Sequence, residues 1–307
     1  MEPALLAKEA ARVSLSLADV EYLVTYPAGI APAALGRVLE DFVGETPLAV
    51  DRIYVELING PPPDLSGWEE QASLGTDWSI RKNGTLRCLC VGRLEDSPPR
   101  GLAAIWSGDV SRVMVFCSPD YLWQKNGLVE MSFAGGYPVD QVLMMYYLAS
   151  RGGVLVHAAA MVAEEQALLF PGVSGAGKST MTRSLTKDGW AALLSDDRVL
   201  LREASGGYLA YGTPWPGEAG VARNLVAPLR VILFPARAAT TRFTALEPRQ
   251  ALERLLPATS LLWHEPELLQ LQLQLLERLL RSVPAFELAW SPERGVLTDV
   301  LEFLHRL

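Results

Sequence analysis

Three observations on this 307-residue sequence predict an α/β fold, a phosphate-binding core preceded by a β-rich N-terminal region. Residues 172–179 read GVSGAGKS, the pattern G-x-x-x-x-G-K-[ST], directly after the apolar run ALLFP. A buried strand there, followed by the loop and a helix through STMTRSLTKDG, is the setting in which such a loop cradles phosphate. Residues 1–135 read instead as short strands punctuated by proline and glycine. Half of all residues are hydrophobic and mean hydropathy is +0.16, enough for one large domain or two ordinary ones. The expected division is 1–135 for the β-rich region and 136–307 for the nucleotide-binding domain.

In chain order, DRIYVELI alternates as a half-buried strand and GPPPD breaks it. TDWSIRKNGTLRCLCVGRL has strand-like flanks around Asn83-Gly84, a hairpin signal. LAAIWSGDVSRVMVFCSP continues the pattern, so this half is expected to form an antiparallel sheet with a short opening helix. PVDQVLMMYYLASR starts with proline and reads as a helix leading into the strand VLVHAAAMV. WAALL and APLRVILFPA are buried-strand runs, and TRFTALEP follows. PELLQLQLQLLERLLR has a helical period with a leucine face at 268, 271, 275, 276 and 279. That face packs on a core or, in the alternative, forms the seam of a homo-oligomer. The segment TDVLEFLHRL reads as a closing helix.

Composition limits the partners. The formal net charge is −8, from 27 basic and 35 acidic residues, and the pI is near 5.1. No basic run stands out, which argues against a nucleic-acid surface. No stretch reaches eighteen uncharged apolar residues, so no membrane span is expected. The N-terminus carries early acids where a secretory signal would be basic, and cytoplasm is the expected compartment. Cys88, Cys90 and Cys117 are an odd set. The pair at 88 and 90 reads as two small buried residues or as a redox or metal pair.

The chemistry gathers around the glycine loop. Backbone N–H groups across Gly172, Ser174, Gly175, Ala176, Gly177 and Thr180 converge on phosphate, and the glycines permit the required turn. Lys178 adds a positive charge at the β- and γ-phosphates, and the Ser179 hydroxyl is a Mg²⁺ ligand. The nucleotide implied is ATP. Downstream, Asp196 and Asp197 end the run WAALLS. Two carboxylates there divide into a metal ligand and a proton acceptor, or simply cap a strand. His157 lies in an apolar run 21 residues before Lys178, as a core residue or, if a strand–turn–strand returns it to the loop, as a participant. The segment YGTPWPGEAGVARN carries Glu218 and Arg223 between turn clusters. It reads as a binding loop, or Trp215 plugs the core and Glu218 is merely solvated.

His157, GVSGAGKS and SDDRVLL, in that order and spacing, resemble the catalytic domain of HPr serine kinase/phosphorylase and in particular the free-standing HPr-kinase-related proteins. The resemblance covers about residues 146–236. It implies that His157 assists the reacting phosphate, that Lys178 and Ser179 bind phosphate and Mg²⁺, and that Asp197 is the base for a serine hydroxyl. Glu218 helps to hold metal in that picture, Asp196 serves Mg²⁺, and Arg198 and Arg223 are candidate phosphate or substrate contacts. A glycine-arginine-asparagine segment of the bifunctional enzymes is Ala222-Arg223-Asn224 here, so the resemblance extends neither to phosphorylase activity nor to HPr as substrate. Members of the related group include kinases of small peptides, lasso-peptide precursors among them.

The expected activity is therefore transfer of the γ-phosphoryl of ATP to a serine-type hydroxyl on a peptide or protein acceptor, recruited by the N-terminal region. Two other readings stay open, a kinase of a small hydroxylated metabolite and a non-catalytic ATP-responsive binding module.

Overall fold

The computed structural model describes residues 10–44, 51–74, 77–94, 96, 100–172, 181, 192–291 and 296–307. Two compact units result, Met1–Tyr147 and Leu148–Leu307.

The first unit is mostly strand: β1 (Arg12–Leu17), β2 (Val20–Thr25), β3 (Ala31–Pro32), β4 (Asp51–Asn59), β5 (Glu69–Leu74), β6 (Trp78–Asn83), β7 (Leu86–Arg93), β8 (Arg100–Trp106), β9 (Arg112–Cys117), β10 (Leu122–Lys125) and β11 (Leu128–Met131). One short helix, α1 (Arg37–Glu40), interrupts them. Eight strands form one sheet in the order β1-β2-β4-β9-β8-β7-β6-β5, and β10-β11-β3 form a second. Alternation works as expected in β4, where Ile53, Val55 and Leu57 are buried between exposed neighbours. The hairpin is also present, with Asn83 opposite Leu86 and Gly84 in the left-handed region at φ +58°.

The sheet is not purely antiparallel. The pairs β2–β4 and β4–β9 are parallel. Parallel partners need long connections, and here β3 and α1 separate β2 from β4, while β5 to β8 separate β4 from β9. Residues 1–9, where a short opening helix would begin the chain, lie outside the described residues, and from Arg12 the chain is strand.

Tyr22 is fully buried in this unit and donates its phenol to the Gly135 carbonyl at 2.7 Å. Burial, then the charge of Asp140, pushes its pKa well above the ordinary tyrosine value, so it remains a donor. Cys88 and Cys90 pack with Leu65, Ala103 and Ile105, their sulfurs 3.5 Å apart as free thiols. At the sheet's ends, β1 is bonded to residues 42 and 44, whereas β5 carries Glu69 and Glu70 and a register shift. Charges and irregularities on an edge oppose strand addition.

Helix α2 (Val139–Ala149) ends the first unit and carries the chain into the second, which holds β12 (Gly153–Ala163), β13 (Gln166–Pro171), β14 (Ala192–Ser195), β15 (Arg198–Ala204), β16 (Gly207–Tyr211), β17 (Val226–Arg237), β18 (Arg242–Ala245), β19 (Thr259–Ser260) and β20 (Ala285–Trp290). Its helices are α3 (Pro248–Leu255), α4 (Pro266–Ser282) and α5 (Leu297–Leu304). Successive pairings β13–β12–β15–β16–β17 close on themselves through a parallel β13–β17 contact.

Strand β12 is apolar on both faces because both are covered. Val154, Val156, Ala158 and Ala160 share a core with Ala251 and Leu255 of α3 and Leu275, Leu276, Leu279 and Leu280 of α4. Ala159 and Met161 share the opposite one with Met181 and with Val300 of α5. Each fully buried leucine contributes roughly 1.5–3 kcal/mol.

The buried face of α4 is rotated from the expected leucine set. Leu271 is 43% exposed, and Gln272 is buried. Gln272 is satisfied there, accepting from the Leu262 N–H at 2.9 Å and donating to the Ser260 carbonyl at 3.3 Å. A groove of about 600 Å³ between α3 and α4 is lined by Leu252, Leu269, Leu273 and Leu280 with Arg249 and Arg281 at hand. Leu275, Leu276 and Leu279 of the expected leucine face pack in the core.

Candidate functional site

The site forms where β12 changes partners. Residues up to His157 pair with β15, His157 lying opposite Arg198. From Ala158 onward the strand pairs with β13, Ala158 lying opposite Pro171. On its other side Ala160 lies opposite Ser195 of β14.

The β12–β13 hairpin returns the chain so that the Gly172 N–H donates to the His157 carbonyl at 3.2 Å. Gly172, the first residue of GVSGAGKS, therefore starts beside His157. The other loop positions, Ser174, Gly175, Ala176, Gly177, Lys178, Ser179 and Thr180, lie outside the described residues, as does the following helix except Met181.

The Asp pair directly follows β14. Strands β13 and β14 run the same way but do not pair, because β12 lies between them, antiparallel to both. Nor does the pair simply end a strand. Ser195 faces Ala160 and Arg198 faces His157, so β14 and β15 are two stretches of one line along β12, bent at Asp196-Asp197. Ser195 shapes the bend. Its buried hydroxyl accepts from the N–H groups of Asp197 at 3.3 Å and Arg198 at 3.2 Å. Thr213, also buried, donates its hydroxyl to the Arg198 carbonyl at 2.7 Å.

Asp197 and His157 meet. His157 Nε2 is 2.7 Å from Asp197 Oδ1, and an Arg198 guanidinium nitrogen is 3.2 Å from Asp197 Oδ2. Both the imidazole and the carboxylate are partly exposed, so a reactant can reach them.

Asp196 does something else. It is 4% exposed. Its Oδ1 accepts from the N–H groups of Gly217 at 2.9 Å and Val221 at 3.3 Å, and its Oδ2 accepts from Ala219 at 2.7 Å. Asp196, read from the sequence as serving Mg²⁺ directly or through water, thus has both oxygens turned to backbone donors. Glu218 is exposed between two of those donors. Among the described residues, no three His, Cys, Asp or Glu side chains gather as a metal cluster. Ser179, which the sequence groups with Asp196 and Glu218 as a metal set, lies outside the described residues.

The ends of the Glu218 loop are fixed by backbone. The Arg223 N–H donates to Leu194 O at 3.1 Å and the Gly212 N–H to Leu225 O at 3.0 Å, while Ala222 bridges to Ser195. The Arg223 side chain is exposed, and Trp215 is buried. A Cβ on Gly212 would lie 2.0 Å from the Arg223 carbonyl oxygen and 2.7 Å from that of Leu194. Backbone cannot yield as a flexible side chain does, so Gly212→Ala is expected to destabilise by about 1–3 kcal/mol. Thermal melting checks this, and an unchanged midpoint would refute the close approach.

Ser195, Thr213, Gly212 and Gly217 were not assigned roles from the sequence. Ser195 alone carried a local signal, a serine opening a polar turn.

Comparisons bear on the same unit. No match was found among curated proteins. The structure of the Hpr(Ser) kinase/phosphatase from Coxiella burnetii is similar over 50% of this chain and 88% of that one, at 13% identity and a TM-score of 0.28, a likeness that carries no argument about activity. Among the described residues no helix is long and apolar enough to cross a membrane. Residues 138–291 match the family described as SynChlorMet cassette protein ScmC. With that match spanning half of its length, the chain belongs to the ScmC family.

Proposed function

We propose that this protein is an ATP-dependent kinase that phosphorylates a serine-type hydroxyl on a peptide or protein. The observation that carries the reading is the His157–Asp197 contact of 2.7 Å at the point where Gly172 opens the GVSGAGKS loop. A phosphate loop delivers the γ-phosphoryl; a carboxylate beside it can take the acceptor's proton.

In the transfer, the acceptor oxygen forms a bond to the γ-phosphorus as the bond to the β–γ bridging oxygen breaks. The hydroxyl proton passes to the Asp197 carboxylate, and ADP leaves with the bridging oxygen. His157 and Arg198 hold that carboxylate in place, and Lys178 offsets charge on the phosphates. Mg²⁺ belongs with Ser179 and the phosphate oxygens in this reading, not with Asp196. Recruitment of the acceptor by the N-terminal unit is part of the proposal.

The test is transfer from γ-labelled ATP. Because the family is described as a cassette protein, peptides encoded alongside it are the first acceptors to try. A phosphomonoester on serine, seen by ³¹P NMR or mass spectrometry, is the expected product. Labelling only of small hydroxylated metabolites would transfer the reading to a metabolite kinase. ATP binding with no transfer to either class would make the protein a nucleotide-responsive binding module.

A further inference from the structure

Asp196 sits next to the proposed base, yet its carboxylate is spent on a loop more than twenty residues downstream. Among the described residues, the hydrogen bonds that tie the backbone of residues 217–221 to the rest of the unit end on its two oxygens. The loop's ends are held independently, through Gly212 and Arg223. Its middle is therefore fastened to one buried charge. Bonds from neutral N–H groups to a carboxylate are about twice as strong as bonds between neutral groups, and a buried anion without them would be costly.

The loop in turn touches Asp197. A Cβ built on Gly217 would fall 2.9 Å from Asp197 Cβ, 3.4 Å from Asp197 Cγ and 3.1 Å from Asp196 Oδ2. The Gly217 backbone thus packs directly on the stem of the carboxylate that meets His157, and only glycine leaves the space. A mechanical path results: the Asp196 carboxylate fixes Gly217, and Gly217 limits where the Asp197 side chain can go.

We propose that Asp196 is a positioning residue, an anionic anchor that seats the 217–221 loop so that Gly217 braces Asp197 toward the acceptor. The functional half of this statement rests on the kinase reading; the anchoring half does not. A misplacement of about 1 Å in a reacting group is enough to lower a rate roughly 10²-fold. The competing assignment, Asp196 as a Mg²⁺ ligand, makes the opposite forecast for the metal.

Two variants separate the links. Asp196→Asn keeps one acceptor oxygen but turns an amide toward the Ala219 N–H, which it cannot bond. Amide hydrogen exchange across residues 217–221 should then speed up at least about tenfold relative to wild type. The kcat for transfer should fall roughly 10- to 100-fold, with KM for ATP and the half-saturating Mg²⁺ concentration unchanged. Gly217→Ala keeps the Asp196 carboxylate and its three N–H donors, crowding Asp196 Oδ2 at 3.1 Å less than the Asp197 stem at 2.9 Å, which it displaces. It should keep the slow exchange of residues 219–221 and still show the kcat loss. Unchanged exchange in Asp196→Asn overturns the anchor. A raised Mg²⁺ requirement with recovery of rate at excess Mg²⁺ makes Asp196 a metal ligand instead. Wild-type kcat in Gly217→Ala removes the brace. If Asp196→Asn does not fold, the Gly217→Ala kinetics still decide the brace. If wild-type protein transfers no phosphate, the kinase reading fails while the exchange measurement still decides the anchor.

Discussion

Asp197→Asn is expected to reduce phosphoryl transfer roughly 10²- to 10⁴-fold while leaving ATP affinity close to wild type. The substitution keeps the shape of the side chain and one oxygen able to accept a hydrogen bond. It removes the negative charge and the proton acceptor. His157 Nε2 and Arg198, which lie 2.7 Å and 3.2 Å from the two carboxylate oxygens, would face one oxygen and one amide nitrogen instead. One of those two contacts is lost. Both partners are partly exposed, so the effect on stability should be small, within about 1 kcal/mol. Single-turnover transfer separates the chemical step from binding, and calorimetry measures ATP affinity alongside it. A rate within threefold of wild type would leave Asp197 as a structural bend and return the search for a base to other residues.

Local pattern revealed the elements better than their pairing. The strands β4, β12, β13 and β17 and the hairpin at Gly84 were legible because alternation, buried apolar runs and turn chemistry are local signals. The parallel pairs β2–β4 and β4–β9 were not, since pairing is settled by contacts between distant segments. Along α4, the sequence put Leu271 on the packed face. The structure buries Gln272 in its place, because the Leu262 N–H and the Ser260 carbonyl satisfy its amide. A hydrophobic period cannot anticipate a partner ten residues away in another segment.

The candidate site shows the same boundary. His157, Gly172 and Asp197 were identifiable by residue type; the return of β13 along β12 brings Gly172 to His157, and the pairing of β15 with β12 brings Asp197 there. What Asp196 does could not be read from its neighbours. Adjacent aspartates look equivalent in a string, but one meets an imidazole and the other meets three backbone donors from residues 217–221. Their difference is set by the bend at Ser195 and by a loop that arrives only after β15 and β16.

Lys178→Ala is expected to abolish detectable transfer and, unlike Asp197→Asn, to weaken ATP binding as well. Lys178 lies outside the described residues, so the expectation comes from its place in GVSGAGKS and from the position of the loop's first residue. An ammonium at the β- and γ-phosphates makes charge-assisted hydrogen bonds to the bound nucleotide. Loss of such a contact costs about 1.5–3 kcal/mol, roughly 10- to 100-fold in Kd. The effect on transfer should be larger, because charge on the transferred group is redistributed as the bond to ADP breaks, and a fixed cation is worth most where that charge moves. Lys178→Arg should not restore the rate, since a planar guanidinium is longer and cannot occupy the same point. The pair of variants therefore has a crossed signature: Asp197→Asn loses rate but retains ATP, and Lys178→Ala loses both. Isothermal titration with ATP and labelled-ATP transfer read the two axes separately. A Lys178→Ala protein that binds ATP with wild-type Kd would show that the glycine loop does not hold the phosphates, and Asp197 and His157 would then belong to some other chemistry.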